Sequence, residues 1–205
     1  DNPPGTYREW QKTEPAFQPW LERFQALGTW AVGLDRTPRA EIAVLLDDES
    51  MLYEEVKNTF SMPGIWHQRH QGLARMGAPY DIYLLDDLLR GDLPGYKLYV
   101  FLNAFRMDAA RRAALTRALR REGRTALWIY APGFVDDVPS VEAMRELTGI
   151  GFEAGRQPWG PFAHITRADH AITRDVRQDL FWGTNSALGP LFHVKDPEAT
   201  ILGQV

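Results

Sequence analysis

The sequence predicts an α/β fold in which a mostly parallel sheet lies between two layers of helix. Three observations point there. Residues 39–50, Arg-Ala-Glu-Ile-Ala-Val-Leu-Leu-Asp-Asp-Glu-Ser, form a near-continuous apolar run that stops at three acids. Strands that are apolar on both faces belong in parallel sheets covered on both sides. The strand itself is expected at about 41–46, residues 80–85, 97–102 and 125–131 repeat that character, and the order strand, helix, strand, strand, helix, strand follows. Such an order fits a doubly wound, flavodoxin-like sheet with spatial order 2-1-3-4, strands 2 and 3 flanking strand 1.

The elements follow in chain order. Residues 1–16 hold three prolines and a glycine among polar neighbours and read as an irregular lead-in. From Phe17 the spacing turns helical: Phe17, Trp20, Leu21, Phe24, Leu27 and Ala31 lie three and four apart, with Gly33 as the stop. After strand 1, residues 51–76 read as two helical pieces split by Ser61-Met62-Pro63-Gly64. Strand 2 spans 79–85, and residues 88–95 carry turn chemistry before strand 3. Asp108 caps a helix running through Arg121, with Ala114, Leu115, Ala118 and Leu119 inward and Gly123 beyond its end. A shorter helix at 140–147 starts at Ser140, and Gly149, Gly151 and Gly155 mark turns after it. Segments 162–166, 191–194 and 200–202 are short strand candidates.

Composition excludes several classes of function. With 205 residues, 44% of them hydrophobic, the chain suffices for one sizeable core. A net charge of −4 gives no general attraction to nucleic acid or anionic lipid, so neither is an expected partner. The absence of cysteine removes disulfides, thiolate nucleophiles and cysteine-bound zinc together. No apolar run approaches the ~20 residues that cross a bilayer. A soluble protein is expected, and its compartment stays open, with the cytoplasm slightly favoured. The chain starts at Asp1 and its residues 199–205 read as a strand with no turn after it, so a fragment truncated at its C-terminus is expected.

The sharpest polar feature is Asp47, Asp48 and Glu49 at the end of strand 1, at the carboxyl edge where open α/β sheets bind ligands. With Asn103 after strand 3 and Tyr130 after strand 4 they outline a candidate ligand crevice. Paired acids there hold magnesium in phosphoreceiver domains, but the acceptor aspartate those domains need after strand 3 is replaced by Asn103-Ala104-Phe105. The simpler reading is acids starting a helix, where carboxylates are favourable. The turn after strand 4 reads Tyr130-Ala131-Pro132-Gly133-Phe134, and none of these can attack a carbonyl except a phenol that would need activation. No catalytic residue, metal site or cofactor is therefore assigned. His67 and His70 lack a third ligand at a metal-binding spacing, and the arginines at 106, 111, 112, 117, 120, 121 and 124 read as a solvated helix face. No dinucleotide or P-loop pattern is present. A free-standing small-molecule-binding or hydrolytic enzyme that uses the strand 1 acids is the alternative reading.

Taken together, Arg39-Ala40-Glu41-Ile42-Ala43-Val44 running into Asp48-Glu49-Ser50, Tyr80-Asp81-Ile82 with Leu93-Pro94-Gly95-Tyr96-Lys97-Leu98, and Gly123-Arg124-Thr125 through Gly133-Phe134-Val135-Asp136 resemble the β-galactosidase trimerisation domain. This is the middle domain of family 42-type glycoside hydrolases. The resemblance covers roughly residues 38–147. It implies a flavodoxin-like, class I glutamine amidotransferase-like domain without the amidotransferase nucleophile, with no cofactor of its own. It also implies a role in assembly, a homo-oligomer, a catalytic barrel in the same polypeptide and a carbohydrate substrate for the parent enzyme. Residues 1–38 would then be the linker and helix leading from that barrel, and 39–205 the domain. In the simpler reading the aromatic stripe of that helix packs on its own domain; in the other, Phe17, Trp20, Phe24 and Trp30 form an interface with a neighbouring domain or subunit.

Overall fold

The computed structural model describes residues 17–37, 39–54, 72–121, 123–155, 162–183 and 189–205. The chain divides into two compact units, Asp1–Arg39 and Ala40–Val205. In the first unit, α1 (Gln18–Val32) begins after Phe17 with proline in its first turn, where a missing N–H is harmless, and ends at Gly33. No residue of α1 is buried: Trp20 is 56% exposed, Phe24 65% and Trp30 63%.

The second unit is built on a four-stranded, all-parallel sheet of β1 (Ile42–Leu46), β2 (Tyr80–Leu84), β3 (Leu98–Phe101) and β4 (Thr125–Trp128), in the order β2-β1-β3-β4. The α/β class and the strand order agree with the sequence reading. Alternation along β1 splits the core into two. Ala43 and Leu45 join Tyr99, Phe101, Leu85, Leu88 and Leu115 on one face, whereas Val44 joins Val100, Leu102 and Leu73 on the other. The first face is covered by α3 (Leu85–Arg90), introduced after α2 (Asp48–Met51), and by α4 (Ala109–Leu119). Both lie in connections running from β2 to β3 and from β3 to β4, and the right-handed rule for parallel crossovers places such connections on one face. The reverse step from β1 to β2 belongs on the opposite face, where the 3-10 turn Leu73–Arg75 sits. Among the described residues that face is thinly covered, and Leu84 and Leu127 on it are exposed. The expected helical pieces at 51–76, with His67 and His70, fall mostly outside the described residues.

Several element boundaries differ from the sequence reading for identifiable reasons. Residues 85–90 form α3, where turn chemistry was expected from Leu88. Parallel neighbours cannot be joined by a tight turn, and Asp87 accepts the Leu84 N–H at 3.0 Å to start a helix that Gly91 closes in the left-handed conformation. The fourth strand ends at Trp128, three residues early, because the chain bends toward Ala131 at φ 42°. Helix α4 stops at Leu119, two residues before Arg121, although Asp108 caps it as expected through a 2.7 Å bond from Arg111 N–H. Its Leu115 is fully buried while Ala114, Ala118 and Leu119 are half-buried.

Beyond α5 (Val141–Thr148), capped by Ser140 and ended by left-handed Gly149, the parallel sheet is not extended among the described residues. Instead β5 (Phe152–Gly155) pairs antiparallel with β8 (Leu191–Val194), and β7 (Phe181–Gly183), β6 (Phe162–Ile165) and β9 (Gly203–Gln204) form a second small sheet. The sequence reading placed turns at Gly151 and Gly155 and a strand at 200–202. Both glycines in fact sit where β5 and its neighbour approach closely. A Cβ on Gly151 would stand 2.7 Å from the Lys195 carbonyl oxygen, and one on Gly155 2.7 Å from His193 Nε2. The last strand candidate lies at 203–204 instead, and Gly203 approaches β6 just as closely: a Cβ there would meet the His164 carbonyl oxygen at 2.6 Å.

Candidate functional site

The carboxyl edge of the parallel sheet gathers the acids that end β1. Asp47 is only 1% exposed, because the chain turns there into α2 beneath the segment that follows β3. Its backbone is clamped from both sides: Asn103 Oδ1 accepts the Asp47 N–H at 2.8 Å, and Asn103 Nδ2 donates to the Asp47 carbonyl at 2.7 Å. Its carboxylate is equally engaged. Ser50 Oγ donates to one oxygen, and Arg111 Nη2 donates to the other at 3.1 Å. Ser50 Oγ in turn accepts the Arg106 N–H at 2.9 Å. Burial raises the Asp47 pKa, and the Ser50 hydrogen bond and the Arg111 charge oppose that rise.

Arg111 is the hub of this edge. Besides Asp47, its Nη1 lies 3.1 Å from Glu49 Oε1 and 2.9 Å from Asp86 Oδ1. One guanidinium therefore faces three carboxylates contributed by the ends of β1 and β2. In chemical terms it supplies the positive charge that a cation would otherwise bring to such acids. Sequence reasoning missed Arg111, because it placed all seven arginines on the wet face. The structure corrects this for Arg106, Arg111 and Arg112. Arg112 is buried, with Nη1 donating to the Met107 carbonyl at 2.7 Å and to Asp136 Oδ2 at 2.9 Å. Arg106 lies over the Tyr53 ring with its guanidinium carbon 5.2 Å from the centroid. The available signal was the Asp108 cap, which fixes where α4 begins and so puts its first turn at the edge where the acids end. Of the expected crevice, the structure brings Asp47, Glu49 and Asn103 together, while Asp48 is exposed at the start of α2.

Tyr130 is engaged elsewhere. Its hydroxyl donates to the Pro190 carbonyl at 2.8 Å, its ring lies 5.8 Å from Phe192, and burial pushes its pKa up to about 12. A phenol held neutral in this way is a poor nucleophile. It walls an apolar cavity of about 430 Å³ between β4, α5 and the β5–β8 pair, with Trp128, Met144 and Phe152. The turn after β4 is the geometrically unusual part. Ala131 is buried at φ 42°, the left-handed region that a residue with a Cβ adopts only at a cost of ~1–3 kcal/mol. The next turn is held down by Gly133 N–H donating to the Ala104 carbonyl at 2.9 Å, and Phe134 N–H donating to the Ala131 carbonyl at 3.1 Å. A strained residue on a tight turn after a strand is how α/β hydrolases present a nucleophile. Here that residue carries a methyl group.

Among the described residues, no group of three or more His, Asp or Glu side chains is arranged to hold a metal ion, and no helix is long and apolar enough to cross a membrane.

No protein-family profile and no curated protein matches the chain. Solved structures do. A catalytic mutant of Gan42B, a GH42 β-galactosidase from G. stearothermophilus, matches 93% of this chain and 27% of its own at 18% identity, with a TM-score of 0.61. The β-galactosidase from the psychrophilic Marinomonas ef1 matches 90% of this chain and 27% of its own at 13% identity and TM-score 0.52. A thua-like protein from Bacteroides uniformis matches 83% of this chain and 70% of its own at 12% identity and TM-score 0.50. These likenesses establish the fold alone. The chain spans about a quarter of the length of either β-galactosidase.

Proposed function

We propose that this chain is a non-catalytic structural and oligomerisation domain of a β-galactosidase-like glycoside hydrolase, with residues 1–38 leading from a catalytic barrel and 39–205 forming the assembly domain. The observation that carries the reading is Ala131: a strained turn where related folds place a nucleophile, occupied by a side chain with no chemistry. The polar edge supports it from another side, because Asp47 is neutralised by Arg111 and Asn103 is bonded to Asp47 backbone. The likeness to a quarter of each of two β-galactosidase chains supports a parent enzyme of that class, which would act on a carbohydrate. The exposed aromatics of α1 supply a surface for a neighbouring domain or subunit, since aromatic side chains dominate interface energetics.

Two measurements test the proposal. Chromogenic β-galactosides incubated with the purified chain should show no turnover above buffer, and turnover would overturn the non-catalytic reading. The coding sequence immediately upstream of Asp1 should encode a (β/α) barrel with glutamates at its strand ends. A start codon directly before Asp1 would end the assignment to a larger hydrolase. A second reading, a free-standing small-molecule-binding or hydrolytic protein, is favoured by the likeness to most of the thua-like chain and by the apolar cavity beside β4. The same upstream sequence separates the two.

A further inference from the structure

The parallel sheet ends at β4, and that edge is open. Thr125 N–H donates to the Lys97 carbonyl at 2.7 Å and Ile129 N–H to the Phe101 carbonyl at 3.1 Å, so positions 125, 127 and 129 turn their backbone groups toward β3. Alternation along the strand turns those of Ala126 and Trp128 the other way. Among the described residues, no strand is hydrogen-bonded on that side of β4, and the N–H and carbonyl groups of Ala126 and Trp128 have no partner. Edge strands are ordinarily blunted by a charge, a proline or a bulge. At the opposite edge β2 carries Asp81. The sequence of β4, Thr-Ala-Leu-Trp, has none of these, and its register to β3 is unbroken. Trp128, stacked on Phe101 at 4.0 Å, holds the strand in place.

The apolar cavity of about 430 Å³ runs along this same edge, because its lining takes residues from both faces of β4. Ala126 and Trp128 come from one face, and the exposed Leu127 and Ile129 from the other. Met144, Phe152, Leu191 and Phe192 supply the facing walls, and no charged side chain among the described residues lines the cavity. Two residues' worth of backbone donors and acceptors, roughly 7 Å apart along the strand, match the repeat of another extended backbone. A compact ligand meets only one such residue at a time. The uncharged walls select the side chains of the occupant, since a charge placed there would lose its hydration without gaining a counter-charge.

We propose that this cavity is a docking site for an extended, uncharged, apolar peptide segment of a partner protein. The segment adds beside β4, its backbone bonded to Ala126 and Trp128 and its side chains on the apolar walls. The site lies wholly within residues 40–205, so it is independent of the α1 surface, and it needs no catalytic group.

Titration of the whole chain with the blocked peptide acetyl-Ser-Val-Ile-Val-Ser-amide, followed by NMR shift changes, tests it. The peptide should bind and shift the Ala126 and Trp128 amides. The same peptide N-methylated at its three central residues, which keeps the side chains but loses the donors, should bind at least tenfold more weakly. So should the peptide with both valines replaced by glutamate. Ala126→Pro removes an edge-facing N–H that the β3–β4 ladder does not use, and proline is tolerated at such positions. That variant should keep the native circular dichroism and mass while binding the peptide at least tenfold more weakly. The N-methylated peptide makes the same test on the unaltered chain, whether or not the variant folds. The proposal is overturned by absence of peptide binding at millimolar concentration, by equal binding of the N-methylated or the glutamate peptide, or by shift changes that leave β4 untouched. A lower mass for Ala126→Pro by light scattering, with no peptide present, would overturn it too, since a second copy of the chain would then occupy the edge.

Discussion

At the scale of single residues, the decisive interaction is the one between Arg111 and Asp47. A buried carboxylate that loses its guanidinium partner keeps the whole desolvation penalty, so Arg111→Met should cost about 3–5 kcal/mol of unfolding free energy by denaturant titration. A loss below about 1 kcal/mol would show that the Ser50 and Asn103 bonds suffice. Two carboxyls should shape the pH dependence in opposite senses. Burial raises the Asp47 pKa, so its contribution is complete below the unfolded value near pH 4 and is lost as pH rises through the folded one. Asp47→Asn should therefore gain on the native protein as pH climbs above about 4. The Arg112 hydrogen bond lowers the Asp136 pKa, so its contribution is present above the unfolded value and lost as pH falls below about 4. Asp136→Asn should flatten the acid limb of the stability curve. Parallel curves for the two variants would refute both assignments. The acids of this edge and Asn103 were legible in the sequence because a strand end is visible as the end of an apolar run. Their partner Arg111 was not, since an arginine in an arginine-rich helix carries no mark of which way it points.

At the scale of elements, capping and close approach decide what forms. Asp108→Ala removes the acceptor for the Arg111 N–H and should cost about 1 kcal/mol, a loss that Asp108→Ser restores. Gly151→Ala is the sharper test of the β5–β8 pair. The new methyl would press on the Lys195 carbonyl, next to the 2.8 Å bond from Lys195 N–H to the Gly151 carbonyl, and should destabilise by about 1–3 kcal/mol. Neutral behaviour of this variant would mean that β5 and β8 separate without consequence. Elements with a strong local period were readable: β1, α1 and α5 fall within a residue or two of their expected bounds. Helix α3 was not, because six residues are too few for a helical period and its aspartates resemble turn chemistry. The strands β5 and β7 were hidden by their glycines and by their short length.

At the scale of the whole molecule, the exposed face of α1 is where association should be read. Trp20→Ala should leave thermal stability nearly unchanged, since the side chain is more than half exposed, while lowering the mass measured by light scattering. Unfolding of the variant, or an unchanged mass, would remove α1 from the interface. The sequence by itself determined the α/β class, the order of the parallel strands and that the turn after β4 offers no side chain able to attack apart from the Tyr130 phenol. Those properties follow from apolar runs, from the right-handed crossover and from residue identity, all of which are local or chain-order information. Only the tertiary structure decided that Arg111 neutralises the acids of β1 and that Tyr130 faces Pro190 and Phe192 instead of those acids. Each of these depends on which way a side chain on one element turns toward another distant in sequence, and that direction is set by packing across the sheet.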